Sequence, residues 1–173
     1  MLKEIAPNVL NIYVLMHPET NAHLSFWREA EAAASALHIV PRTAGIHTAE
    51  EIEQAVATAA AQPDGGLVVL PHAITEFDRD LIIGLAARWG LPSMHAFRIH
   101  PNAGALASYG VDIVSHFKTA AEYIDRILKG EKSANLPVQA PTKFELVINL
   151  KTAKALGLTI PPTLLSTADE LIE

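Results

Sequence analysis

The chain of 173 residues is long enough for one domain, or for one domain with an appendage. Half of its residues are hydrophobic and 18% are charged, which is typical of a globular protein. The chain has no cysteine, which excludes disulfides and thiol catalysis, and its net charge of −6 without a basic cluster argues against nucleic acid as a partner.

Short apolar segments alternate along the chain with amphipathic helical segments. The apolar segments predict buried strands at residues 9–16, 38–40, 67–70, 93–95, 105–108 and 144–148. Helical spacing of apolar residues predicts helices at residues 22–37, 49–62, 76–89, 111–129 and 150–156, with Thr48 and Thr75 as caps. This alternation is typical of βαβ units, so we expect an α/β fold, a three-layer sandwich with a mainly parallel sheet.

The loops that follow the predicted strands hold the candidate binding residues, because ligands of such folds lie beyond the carboxyl ends of the strands. These candidates are Thr20, Asn21, Pro71, His72, Phe97, Arg98, Ser108, Tyr109, Gly110 and Asp112. The planar guanidinium of Arg98 suits a carboxylate, but a surface salt bridge explains it equally well.

His17, His72 and His95 follow or end three predicted strands, so they could meet at one edge of the sheet and serve as metal ligands or a general base. The alternative is that they cap helices or face water. No HxH or HExxH pattern is present, and we find no carboxylate at ligand spacing, so we predict no metal site. The sequence also has no GxSxG, P-loop or GxGxxG motif, so we expect no catalytic residue and no cofactor.

Two long stretches of the C-terminal third carry a family resemblance. One comprises SYGVD at residues 108–112 with AAEYIDRILKG at 120–130, and the other is LPVQAPTKFELVINLKTAKALG at 136–157. They resemble the periplasmic substrate-binding component of ABC transporters, of the kind that includes proposed tryptophan/tyrosine binders. The resemblance extends over residues 5–173 and implies a periplasmic-binding-protein-like (Rossmann-like) lobe.

Members of that family are about twice as long, with two lobes that close on a ligand, so the chain resembles the C-terminal lobe. The resemblance implies three parts. Residues 1–104 would form the α/β lobe, residues 105–130 a strand and helix belonging to the missing first lobe, and residues 131–173 a linker, strand and helix that return to the lobe, with a tail.

The resemblance implies a solute-binding lobe of an ABC-type uptake system and no enzyme. Its ligand would be a small polar organic molecule such as an amino acid, with Arg98 or backbone N–H groups on a carboxylate and Tyr109 or Phe97 stacked on the ligand body. The partner would be a membrane permease. Two alternatives remain open: a small α/β hydrolase or isomerase with His72 or His17 as general base, and a truncated remnant without transport function.

Location and assembly are further expectations. The family resemblance implies the periplasm, whereas the first residues lack the apolar region of a signal peptide, which would mean the cytoplasm if Met1 is the native start. The predicted helix 111–129 has a wide apolar face that soluble monomers rarely leave exposed. The helix could fold back onto its own lobe through the polar linker at residues 131–142, or two chains could each cover the helix of the other. We favour the second, a homodimer through residues 105–130.

Overall fold

The computed structural model describes all 173 residues. Seven strands form one sheet: β1 (Asn11–Met16), β2 (Val40–Gly45), β3 (Gly65–Val69), β4 (Ser93–His95), β5 (Ala107–Val111), β6 (Phe144–Asn149) and β7 (Glu170–Ile172). The helices are α1 (Leu2–Ile5), α2 (Asn21–Leu37), α3 (Ala49–Ala60), α4 (Ala73–Phe77), α5 (Arg79–Trp89), α6 (Ile99–Asn102), α7 (Ile113–Leu128), α8 (Leu150–Ala155) and α9 (Pro162–Thr167). None of them is both long and apolar enough to cross a lipid bilayer.

The sheet has the order β2-β1-β3-β4-β5-β6-β7, and β5 with β6 is its one antiparallel pair. Alternate residues of β1 enter two different cores: Ile12 and Val14 pack into one apolar cluster, and Tyr13 and Leu15 into another. Because a strand covered on both faces needs apolar side chains at successive positions, β1 is continuously apolar. The predicted three-layer α/β sandwich with a mainly parallel sheet is confirmed.

The second strand differs from its prediction at residues 38–40. It begins at Val40 and continues through Pro41 to Gly45, while His38 ends α2 in the left-handed conformation with φ 52°. Proline was expected to close the strand because it cannot donate a backbone hydrogen bond. β2 lies at the edge of the sheet and pairs on one side only, which is where a strand tolerates proline.

The helix predicted at residues 76–89 with Thr75 as its cap is two helices in the structure. His72 caps α4, since its Nδ1 accepts from the N–H of Ile74, and the Thr75 hydroxyl accepts from the N–H of His72 at 2.9 Å. The chain leaves helical geometry at Asp78 before α5 begins. The prediction missed the earlier start because histidine is not a common helix cap.

Residues 105–130 divide into a strand that is integral to the sheet and a helix that is not. β5 pairs with β4 on one side and β6 on the other, so the expectation that its partner sheet is missing is wrong for this strand. In contrast, α7 has no buried residue, and Phe117 and Leu128 are 72% and 82% exposed. The C-terminal strand β7, which no sequence pattern indicated, extends the sheet beyond β6.

Candidate functional site

The carboxyl ends of β1 to β5 meet at one edge of the sheet, because these five strands run parallel. The ten candidate binding residues lie at or next to this edge, in loops, in β5 or, for Asn21, at the start of α2. They form two groups. Thr20, Asn21, Pro71 and His72 follow β1 and β3, whereas Phe97, Arg98, Ser108, Tyr109, Gly110 and Asp112 lie at the ends of β4 and β5.

The first group surrounds three histidines. The rings of His17 and His72 are stacked with centroids 4.3 Å apart, as expected from the position of both residues after strands. The buried His23 joins the two loops: its Nδ1 accepts from the N–H of His17 at 2.9 Å, and its Nε2 lies 3.1 Å from the carbonyl oxygen of Pro71. Since Nδ1 accepts, the proton of neutral His23 is on Nε2, which donates to Pro71.

The pKa of His72 lies below the ordinary value of a histidine. Loss of hydration lowers its pKa first, and the neighbouring His17 and His23 lower it further. Its Nδ1 is already used by the Ile74 N–H, so Nε2 is the nitrogen left for a ligand. The sequence missed His23 because this residue lies inside α2, although its place in the first helical turn after a strand could have indicated the contact.

Carboxylates join the histidines at the ends of β1 and β2. Glu19 lies 3.2 Å from Nδ1 of His17 and 3.1 Å from Nε2 of His47, and Nδ1 of His47 lies 3.1 Å from the Glu51 carboxylate. The hydrogen bond with His47 lowers the pKa of Glu19, and hydrogen bonds with Glu19 and Glu51 raise the pKa of His47. The expectation that no carboxylate accompanies the histidines at ligand spacing is therefore wrong.

The second group contains ion pairs. The Arg98 guanidinium contacts Glu170 and lies 3.5 Å from Glu145, so two carboxylates of this chain already occupy the residue that was considered for a ligand carboxylate. Asp112 pairs with Lys143 at 2.7 Å and caps α7 through the N–H of Ser115. The hydrogen bond from Lys143 holds the pKa of Asp112 below its usual range.

Aromatic rings flank these ion pairs. Tyr109 stacks on Phe144 with centroids 5.8 Å apart and stays partly exposed, so a flat apolar surface is open at the end of β5. Phe97 lies beside His100, with centroids 6.3 Å apart. Gly110 allows β5 to lie close to the backbone at Ala96, because a Cβ at this position would lie 2.0 Å from the carbonyl oxygen of Ala96.

A small buried polar group lies below this edge. Nε2 of His95 lies 3.2 Å from the Ser93 hydroxyl, and the rings of His95 and His100 are stacked at 4.6 Å. Burial lowers the pKa of His95 to about 3, so its ring is neutral in the folded protein. The Ser108 hydroxyl and Nδ1 of His95 are buried without a hydrogen-bond partner. Nε2 of His100 makes no hydrogen bond, although a Glu76 carboxylate oxygen lies 3.4 Å from it.

The sequence of the chain matches one known family. The family model described as ABC transporter substrate binding protein matches residues 1–172. The chain belongs to this family. Its members are substrate-binding proteins and not enzymes, and the sequence resemblance is confirmed. No curated protein matches the chain.

Solved structures share the fold of the chain. A conserved domain protein from Vibrio cholerae is 27% identical with a TM-score of 0.86, covering 98% of this chain and 57% of that one. The ABC domain in complex with L-Trp from Streptococcus pneumonia is 24% identical with a TM-score of 0.88, covering 99% and 58%. A ligand-free, open substrate-binding protein with adhesive properties from Clostridium difficile is 22% identical with a TM-score of 0.70, covering 99% and 57%.

The three structures are longer than this chain. The chain spans 57–58% of the length of each of the three structures. The last two are less than 25% identical to the chain, so they support only its fold.

Proposed function

We propose that this chain is a solute-binding lobe of an ABC-type uptake system and that its ligand is a small polar organic molecule such as an amino acid. The observation that carries the proposal is the family match over residues 1–172. The similar fold of the S. pneumonia domain in complex with L-Trp supports an amino acid as the ligand class.

The ligand would lie across the carboxyl edge of the sheet, between the two groups of candidate residues. Tyr109, with its partly exposed ring, would stack on the ligand body. To bind a ligand carboxylate, Arg98 would have to release a carboxylate of this chain, such as that of Glu170. The start of α2 is a second place for a ligand carboxylate, since Thr20 makes no side-chain capping bond there.

Amino-acid binding by the isolated chain should be weak, because a two-lobed protein buries its ligand from both sides and this chain supplies one of them. Titration of the ¹⁵N-labelled protein with millimolar L-Trp, followed by NMR, detects such weak binding. We expect amide shifts at residues 17, 19–21, 70, 72, 97–98 and 108–112. Shifts confined to the opposite edge of the sheet, or none at about 10 mM ligand, would contradict the proposal.

A matched pair of aromatic variants tests the stacking contact. Tyr109→Ala should weaken L-Trp binding several-fold, because stacking of an indole on an aromatic ring contributes about 1 kcal/mol. Trp89→Ala removes an exposed ring at the end of α5, close to the amino edge of β4, and should leave the affinity unchanged. Equal losses in the two variants would show that the ring of Tyr109 has no specific role.

The family also supports a partner and a location. We propose that the partner is the membrane permease of an ABC transporter and that the protein acts in the periplasm. An enzyme with His72 as general base has less support, since Nδ1 of His72 accepts the Ile74 N–H as a helix cap. No group is seen to orient His72 toward a substrate proton, as a general base requires.

We further propose that two copies of the chain associate through α7. This helix presents Val114, Phe117, Ile124 and Leu128 to solvent, each of them more than half exposed. An apolar face of this extent favours a covering partner in a soluble protein. A two-fold pair would let each copy cover the helix of the other.

A further inference from the structure

The structure assigns a binding site for a divalent transition metal to His17, Glu19 and His47, at the ends of β1 and β2. Two of the ligands come from the loop after β1, and His47 comes from the loop after β2. β1 and β2 are paired in parallel, with Met16 beside Gly45 at their ends, so the two loops are neighbours. The site shares the loop after β1 with the proposed solute-binding edge, but the assignment of the metal does not rest on the proposed solute.

Two of the three separations between ligand atoms already match those of a tetrahedral site. Nδ1 of His17 and Nε2 of His47 lie 3.2 Å and 3.1 Å from the same Glu19 oxygen, and the ligand atoms of all three residues lie within 4.8 Å of one another. Metal–ligand bonds of about 2.0–2.1 Å in tetrahedral geometry place neighbouring ligands roughly 3.3 Å apart. A metal between the three side chains therefore requires shifts of only a few tenths of an ångström for the two shorter separations.

A second carboxylate holds His47 in the orientation that a metal needs. Glu51 accepts hydrogen bonds from the His47 backbone N–H and from its Nδ1, and the N–H of Glu51 donates to the Thr48 hydroxyl. With Nδ1 bound to Glu51, Nε2 points toward Glu19. A carboxylate on the far nitrogen of a ligating histidine is the usual outer contact of metal sites, where it fixes the ring and raises its basicity.

The His17 ring is also held in place. It stacks on His72 at 4.3 Å and meets the His47 ring edge-on at 5.1 Å, while its backbone N–H donates to His23. All three ligands are at least partly exposed, so a metal ion has a direct path from solvent. The position opposite the protein ligands remains open to water or to a small anion.

The donor atoms select the class of metal. Two imidazole nitrogens and one carboxylate oxygen suit Zn²⁺, Ni²⁺, Co²⁺ or Cu²⁺, whereas Mg²⁺ and Ca²⁺ prefer sites made of oxygen. Three protein ligands with an open fourth position are typical of accessible zinc sites and not of closed structural ones.

Isothermal titration of the chelator-treated full chain with ZnCl₂ tests the site directly, and visible absorption of the Co²⁺ form reports its geometry. We expect one equivalent of Zn²⁺ with micromolar affinity, no displacement by millimolar Mg²⁺, and cobalt bands of four-coordinate intensity. No zinc binding at about 1 mM, or displacement by Mg²⁺, would overturn the proposal.

Variants separate ligands from bystanders. Glu19→Gln and His47→Gln should each lower zinc affinity at least tenfold. Glu51→Gln, which changes the contacts of Glu51 with Nδ1 and the backbone N–H of His47, should lower it by about tenfold. His116→Gln removes an exposed histidine on α7 and should leave the affinity unchanged. Unchanged affinity in Glu19→Gln and His47→Gln, with melting temperatures like that of the parent, would place the metal elsewhere and refute the site.

Discussion

His95, at the end of β4, is a buried histidine that the protein keeps neutral. Its pKa falls from 6.5 to about 3 because burial removes its hydration, and His100 adds a smaller electrostatic effect. Between these two values the unfolded chain binds a proton that the folded protein does not. The stability contributed by a neutral His95 is therefore complete above about pH 6.5 and is lost as the pH falls toward 3.

Urea unfolding at pH 7 and at about pH 5 measures this loss. The free energy of unfolding should fall by up to about 1.4 kcal/mol per pH unit through this one group, in addition to the effect of carboxylates. His95→Gln removes the proton site and should reduce the fall. His116→Gln, on the exposed face of α7, should leave the fall unchanged, and an equal fall in His95→Gln and the parent would contradict the assignment.

Two glycines show how strand and helix place opposite demands on the same residue type. Gly110→Ala would bring a Cβ to 2.0 Å from the Ala96 carbonyl oxygen, so β4 and β5 would have to separate locally. Gly84 lies in the middle of α5 on its exposed face, and a Cβ added there would have no atom within 4 Å. Alanine there replaces the residue with the greatest backbone entropy in the unfolded chain.

The two substitutions should therefore act in opposite directions. We expect Gly110→Ala to lower the free energy of unfolding by about 2 kcal/mol or more and Gly84→Ala to raise it by about 0.5–1 kcal/mol. Chemical denaturation of both variants beside the parent provides the measurement. Destabilisation by Gly84→Ala would show that α5 makes a contact on its outer face that the structure lacks.

The sequence predicted the central elements because their patterns are local. β1, β3 and β6 are short and largely apolar, and Gly90 ends α5 in the left-handed conformation that glycine favours. β2 and β7 were harder to predict because edge strands need few apolar residues. Pro41 could be tolerated in β2 only because no second strand pairs with it, and that is a property of the sheet order.

The candidate site was predictable to the same extent. The rule on strand ends correctly placed His17 beside His72, since both follow neighbouring parallel strands. It could not pair Glu19 with His47, because these residues are far apart in the chain and are brought together by the pairing of β1 with β2. The sequence left Arg98 with two interpretations, a contact with a ligand carboxylate or a surface salt bridge. In the structure Arg98 forms salt bridges with Glu145 and Glu170.

At the scale of the whole molecule, α7 determines the proposed association. Light scattering at micromolar concentration should report about twice the chain mass of 18.6 kDa. Phe117→Asp places a charge in the apolar face and should yield monomers or aggregates. Lys118→Asp, at a neighbouring exposed position, changes the charge without removing an apolar contact and should remain dimeric. A parent that scatters as a monomer would end the dimer proposal.

The two edges of the sheet restrict how the protein can associate. β2 carries Pro41, which has no backbone N–H to donate, and the charged Arg42, while β7 is three residues long and includes Glu170 in an ion pair with Arg98. Proline, charge and short length all make an edge strand a poor template for another chain. Neighbouring molecules therefore have little opportunity to extend this sheet through main-chain hydrogen bonds, which protects the protein against ordered aggregation and leaves side-chain surfaces as its means of recognition.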